Sequence, residues 1–206
     1  MSQGFFGLDL APLRNSQQFR RLYVAGFISM LGSQATYVAV PFQLRKLTHS
    51  TLAVGSIGLV ELAPLVIFGL YGGVLADRIS RRRLIIAMEF VVMVSTALLF
   101  ANALLAHPVT WILYLDAAIV AGASSLQTPS ISAMNQVLVA PSLQRSASIL
   151  GNVSSTTASI VGPALGGLAA VAFGPGSVYL ANLITFAISL YLLSRLHASP
   201  ERTDVT

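Results

Sequence analysis

The stretch GGVLADRISRRRL, Gly72 to Leu84, decides how the rest of this sequence is read. Its segment Asp77 to Arg83 packs one carboxylate and four arginines into seven residues, just after two glycines. In a water-soluble protein such a cluster would be a solvated turn or an anion site. Composition excludes that setting. The 206 residues are 55% hydrophobic and 9% charged, with a mean hydropathy of +0.77, whereas globular domains carry about a quarter charged residues. So little charge cannot cover the surface of a soluble fold. The excess apolar side chains must face lipid, which makes this an integral membrane protein.

Outward from the cluster, the chain divides into six apolar stretches, at about 22–44, 52–76, 84–106, 110–139, 147–173 and 177–196. Each meets the roughly 20 residues that a membrane-spanning helix needs. The breaks are LRKLTHS, the arginine cluster itself, AHPVT, APSLQR and GPGS. Pro129 and Pro163 predict a tilt or kink in the fourth and fifth spans. The start shows no apolar core running into a small-residue cleavage site, so the first span is expected to do the targeting. The expected organisation is a cytoplasmic segment at 1–18, a six-helix bundle at 19–196, and a polar stretch at 197–206. That last stretch is either a tail or the start of a linker.

Charge sets the orientation. Arginine and lysine collect in short loops on the cytoplasmic side. Of the twelve such residues, all but Arg45 and Lys46 fall on one side if both termini are cytoplasmic. The pI near 10.1 is therefore read as membrane topology, and no nucleic-acid partner is expected. With no cysteine in the chain, disulfides, thiolate catalysis and Cys-ligated metals are excluded.

A positive-inside anchor explains the arginines of the opening stretch. It explains neither the glycines nor Asp77 at a helix end, where a carboxylate opposes the helix dipole unless something positive compensates it. Gly73 to Arg82 resembles the loop signature of the major facilitator superfamily, roughly G-x-L-a-D-r-x-G-r-r, with Ser80 in place of the usual second glycine. The stretches 32–65 and 148–170 are similar to the subgroup of that superfamily holding the enterobactin exporter and other transmembrane secretion effectors. The resemblance implies an all-α membrane fold, with six transmembrane helices forming the N-terminal half of a major facilitator. It assigns Gly73, Asp77, Arg78, Arg81 and Arg82 to a gating loop that packs against a helix of a second six-helix half. It further implies alternating access, proton-driven export of a siderophore, drug or similar amphipathic small molecule, no cofactor, and residence in the bacterial inner membrane. The second half would belong to the same chain or to another subunit. Two other readings stay open: a non-transporting half-size scaffold or partner of a full-length transporter, and a small-solute importer of the same fold.

Gly162, Pro163, Gly166 and Gly167 sit in the fifth span, with Ala158 and Ala170 extending the face of Gly162 and Gly166. Small residues at this spacing let helix backbones approach closely in lipid. Packing within one bundle is one reading. The other is that G-P-x-x-G-G resembles the antiporter signature that seals the two halves against leak; Ala158 replaces one of its glycines.

Ionisable residues inside a span are costly and demand an explanation. Asp116 in the fourth span is a candidate proton or cationic-substrate site, or else a hydrogen-bond partner of a neighbouring helix. Glu61, near the middle of the second span, is a candidate for a proton-linked or conformational role, or a buried pair. Glu89 is expected to pair with Arg82, Arg83 or lipid headgroups. Gln34 and Tyr37, three apart on the first span, are candidates for a cavity wall, as are Gln127, Asn135 and Asn152; interhelical hydrogen bonding is the plainer reading of each. No enzyme chemistry is expected. His49, His107 and His197 are far apart, no phosphate-binding G-x-x-x-x-G-K-[ST] occurs, and no nucleophile and base converge.

Overall fold

The computed structural model describes residues 9–196, with backbone but not side chains for 71–78. The described residues form a short helix α1 (Ala11–Asn15) and six long ones. These are α2 (Gln17–Thr48), α3 (Thr51–Arg78), α4 (Arg81–Ala103), α5 (Thr110–Leu138), α6 (Gln144–Phe173) and α7 (Pro175–Ser194). A 3-10 turn at Pro141–Leu143 leads into α6.

Local chemistry sets the ends. Ser16 and Ser50 cap α2 and α3 by accepting from the backbone N–H of Phe19 and Ala53, at 3.1 and 3.3 Å, which satisfies one of the orphan donors of a first turn. α2 stops at His49, which adopts the left-handed conformation with φ 54°, while Arg45 and Lys46 sit favourably in its last turn. Gly174, at φ 84°, breaks α6 from α7, and Pro175 starts the next helix. Between α4 and α5 the Asn102 side chain clamps both polar groups of Val109, at 2.8 and 3.1 Å. Ser80, between α3 and α4, has φ −57°. That region is open to any residue, so a serine where the family signature has glycine costs the turn nothing.

Five of these helices, all but α5 among the long ones, are apolar enough over their described residues to cross a membrane. α5 spends its length on Asp116, Gln127 and a run of serines and threonine. The long helices associate as an arc: α6 against α2, α2 against α7, α7 against α4, α4 against α5, and α5 against α3. α2 and α7 run antiparallel, as do α4 with α7 and with α5; α3 and α5 run parallel, as do α2 and α6. α1 lies on α2 and α6, with Leu13 against a cluster of Phe19, Val139, Ala147 and Leu150. The larger core gathers Leu44, Leu99, Leu113 and Tyr179 at the opposite end of the bundle.

Candidate functional site

A cavity of about 280 Å³ lies between α2, α3, α4, α5 and α7. Its most buried ionisable group is Asp116, 4% exposed. Its Oδ1 accepts a hydrogen bond from Ser95 Oγ of α4 at 2.5 Å. Glu61 reaches the cavity from α3 and Tyr37 from α2. On the α7 side Asn182 Nδ2 donates to Thr36 Oγ1 at 2.8 Å, and Thr185 Oγ1 donates to the Asn182 carbonyl at 2.7 Å. Among the described residues that line the cavity there is no lysine or arginine.

Two prolines interrupt the helical hydrogen bonding of α2 and α3. Pro41 lines the cavity, and Pro64 lies three residues beyond Glu61 on α3. A helical proline has no N–H for the carbonyl four residues earlier. The carbonyls deprived of a helical donor are those of Tyr37 and Val60, at and beside cavity residues. The side-chain carboxyls of Asp116 and Glu61 share one chamber, with Val40, Ile57, Val92 and Val120 filling the wall between them.

The structure brings Asp116, Glu61 and Tyr37 together and leaves Gln34 out. Gln34 lies at the α2–α6 contact, where a Cβ on Gly162 would sit 2.6 Å from its Cβ. Gly166 meets α2 more closely still: an added Cβ would fall 2.5 Å from the Ala35 carbonyl oxygen. Gly162 and Gly166, with buried Ala158 and Ala170, hold α6 to α2 inside one bundle. Gly167 only grazes Val38, and Pro163 is half-buried. Glu89 does not pair with Arg82 or Arg83. It is 4% exposed and accepts from Gln127 Nε2 at 2.8 Å, whereas Arg82 Nη2 donates to the Ser194 carbonyl at 2.8 Å. Asn152 is exposed on α6 and Asn135 half-buried on α5, outside the cavity. The gating-loop residues Gly73, Asp77 and Arg78 fall in the last turns of α3, and their side chains lie outside the described residues; Arg81 is exposed at the start of α4.

Several polar partners were not singled out from the sequence. Ser95 holds Asp116, Tyr179 OH donates to Gln43 Oε1 at 2.7 Å, and Tyr114 OH donates to the Ala53 carbonyl at 2.9 Å. A signal existed for some of them. Ser95 and Tyr179 recur at helical spacing with buried apolar residues, on the inner faces of α4 and α7.

Long apolar helices around a chamber with carboxyl groups define an all-helical integral membrane protein. Comparison then gives the family: residues 8–205 match the family model described as transmembrane secretion effector, and the chain belongs to that family of the major facilitator superfamily. It is 30% identical over 198 residues to the enterobactin exporter EntS of Salmonella typhi, covering 94% of this chain and 48% of that protein. Against the enterobactin exporters EntS of Shigella flexneri and of Escherichia coli O1:K1 the identity is 31% over 188 residues. Those alignments cover 91% of this chain and 46% and 45% of the relatives. The chain spans about half the length of the curated relatives it matches.

Proposed function

We propose that this chain is one six-span half of a secondary active exporter in a bacterial inner membrane, with both termini cytoplasmic and α5 as the sixth span. The observation that carries the reading is the chamber between α2, α3, α4, α5 and α7, with Asp116 at its wall. Drug-sized ligand pockets usually measure about 300–1,000 Å³. A chamber of about 280 Å³ falls just short of that range, which favours a wall completed by a second helical half over a finished binding site. The two halves would rock about this chamber in alternating access. The deficit of apolarity in α5 has the same explanation: a span that presents Asp116 to a chamber need not be apolar all round.

Protons are the proposed coupling ion, because the chamber offers the carboxyl groups of Asp116 and Glu61 and, among its described lining residues, no lysine or arginine. Asp116 is the first candidate to bind a proton or a cationic group of the substrate, and Glu61 the second. Asp77 is assigned to the gate: its loop would pack against the second half and stabilise one of the two open states. Enterobactin, the compound named for the relatives, is the first substrate to test, followed by amphipathic drug-like molecules.

The test is transport by the native assembly in proteoliposomes with an imposed pH gradient. Wild type is expected to move enterobactin against the direction of proton entry. Asp116→Asn is expected to lower that flux at least tenfold with normal membrane insertion, and Asp77→Asn to impair it. A wild type that moves none of these compounds would overturn the reading. Unchanged flux in Asp116→Asn would remove Asp116 from it.

A further inference from the structure

The two halves of α3 are attached to α5 in different ways. Near the N-terminus of α3, Tyr114 OH of α5 donates to the Ala53 carbonyl at 2.9 Å and lies 3.1 Å from Ser56 Oγ. Ser56 Oγ donates to the same carbonyl at 2.8 Å. Beside them Ile57 is buried in the core cluster that holds Leu99, Leu113 and Ala117. Hydrogen bonds and a buried side chain fix this half. From Gly58 to Leu70, every described residue is half-buried or exposed. The second attachment is apolar and rests on Gly122, a buried glycine of α5. A Cβ there would fall 2.9 Å from the Phe68 ring and 3.4 Å from Pro64 Cβ. Phe68 thus sits in a notch that only glycine leaves open.

Pro64 stands between the two attachments. It offers no N–H to the Val60 carbonyl, so this turn lacks one of the bonds that stiffen a helix. On either side of it, a Cβ added to Gly58 or Gly69 would meet nothing within 4 Å, so no packed neighbour holds those turns. Glu61, three residues before the proline, lines the chamber with Val54, Ile57 and Gly58. Beyond the proline the helix runs on to Arg78, through the turns that carry the gating-loop signature. That length is about 20 Å of helix, so a bend of about 10° at Pro64 moves its far end by about 4 Å. The same bend leaves the chamber wall from Val54 to Gly58 where it is.

We propose that α3 is a hinged arm. Its N-terminal half, fixed to α5 through Tyr114 and Ile57, is a static part of the chamber wall. Its C-terminal half swings about Pro64, and the seating of Phe68 in the Gly122 notch is the stop that defines one of two positions. Glu61 stands beside the hinge, so the arm links what occupies the chamber to the turns of the gating loop. Only that link rests on the exporter reading; the hinge itself does not.

The test is pulsed electron resonance between spin-labelled cysteine pairs in the native assembly. Leu70→Cys with Tyr191→Cys follows the arm, and Leu52→Cys with Phe173→Cys follows the fixed half; all four positions are exposed. Gly122→Ala drives a methyl group into the Phe68 ring. It is expected to lower the ratio of seated to unseated arm about tenfold, as one extra methyl in a packed contact does, and to leave the fixed pair unmoved. Adding Pro64→Ala, which restores the missing N–H, should suppress that shift. Should Gly122→Ala fail to fold, Phe68→Ala must unseat the arm in its place. Three results would overturn the proposal: an arm pair that neither notch variant moves, both pairs moving together as one rigid helix, or a shift undiminished by Pro64→Ala. A hinge found in an assembly that transports none of the tested compounds would instead overturn the exporter reading and leave the arm standing.

Discussion

α3 and α4 are close in apolarity and opposite in how they use it. Thr51–Leu70 of α3 and Arg81–Ala103 of α4 have mean hydropathy 2.0 and 2.4, yet 6% of the first and 39% of the second is buried within the bundle. Hydropathy alone selects helices that tolerate lipid; it does not select which of them form the core. α4 earns its central place through an inner face of Glu89, Ser95, Thr96 and Asn102, all buried, that bonds to neighbouring helices or to its own backbone and loop. α3 lies at the end of the arc. It gives the chamber Gly58 and Glu61 while Leu59, Leu62, Leu65 and Leu70 remain exposed. A contiguous apolar face of that kind is normal for a helix against lipid or a further helical partner, and abnormal against water.

The contrast is open to test, beginning with the largest expected effect. Gly166→Leu in α6 forces a side chain into the Ala35 backbone and is expected to destabilise the bundle by about 3 kcal/mol, read as a fall in thermal midpoint in detergent. A midpoint within error of wild type would mean that α6 and α2 are not held in this contact. Ser95→Ala, which strips Asp116 of its hydrogen bond, is expected to cost about 1–2 kcal/mol and to depress flux along with it. Tyr179→Phe, which leaves Gln43 Oε1 without its donor, should cost less, about 0.6 kcal/mol, the usual worth of an interhelical hydrogen bond in a membrane. Gly69→Ala in α3, where an added Cβ meets nothing within 4 Å, should change stability least, and in the stabilising direction by up to about 1 kcal/mol. If Gly69→Ala proves as damaging as Gly166→Leu, α3 is packed against something at that position.

The helices were legible because apolar runs and their polar breaks act locally: a run long enough for a membrane and a turn rich in Gly, Pro or Arg need no tertiary information. The partners were not legible, because register between helices is a tertiary quantity. Glu89 shows the difference. Along its own helix it faces Arg82 two turns away, which suggested a pair; in the bundle it meets Gln127, 38 positions later in the chain. The small residues of α6 announced a close helix contact without naming α2 as its other side. Asp116, Glu61 and Tyr37 could be picked out one by one, each as an oddity within a span, but their convergence on one chamber depends on α3 and α5 running parallel. Gln34, one turn from Tyr37, turned toward α6 instead. Neutral partners such as Ser95 and Asn182 gave no charge signal, and only their spacing on an inner face marked them.

The most direct measurement is the water accessibility of single cysteines, which this cysteine-free chain lends itself to. In the native assembly, Tyr37→Cys and Gly58→Cys on the chamber wall and Leu65→Cys on the exposed face of α3 would be treated with a membrane-impermeant maleimide in membranes of either orientation. The account predicts rapid modification at the two chamber positions, slowed by enterobactin, and none at Leu65→Cys. Modification of Leu65→Cys as fast as the chamber positions, or an inert chamber from both sides of the membrane, would contradict it.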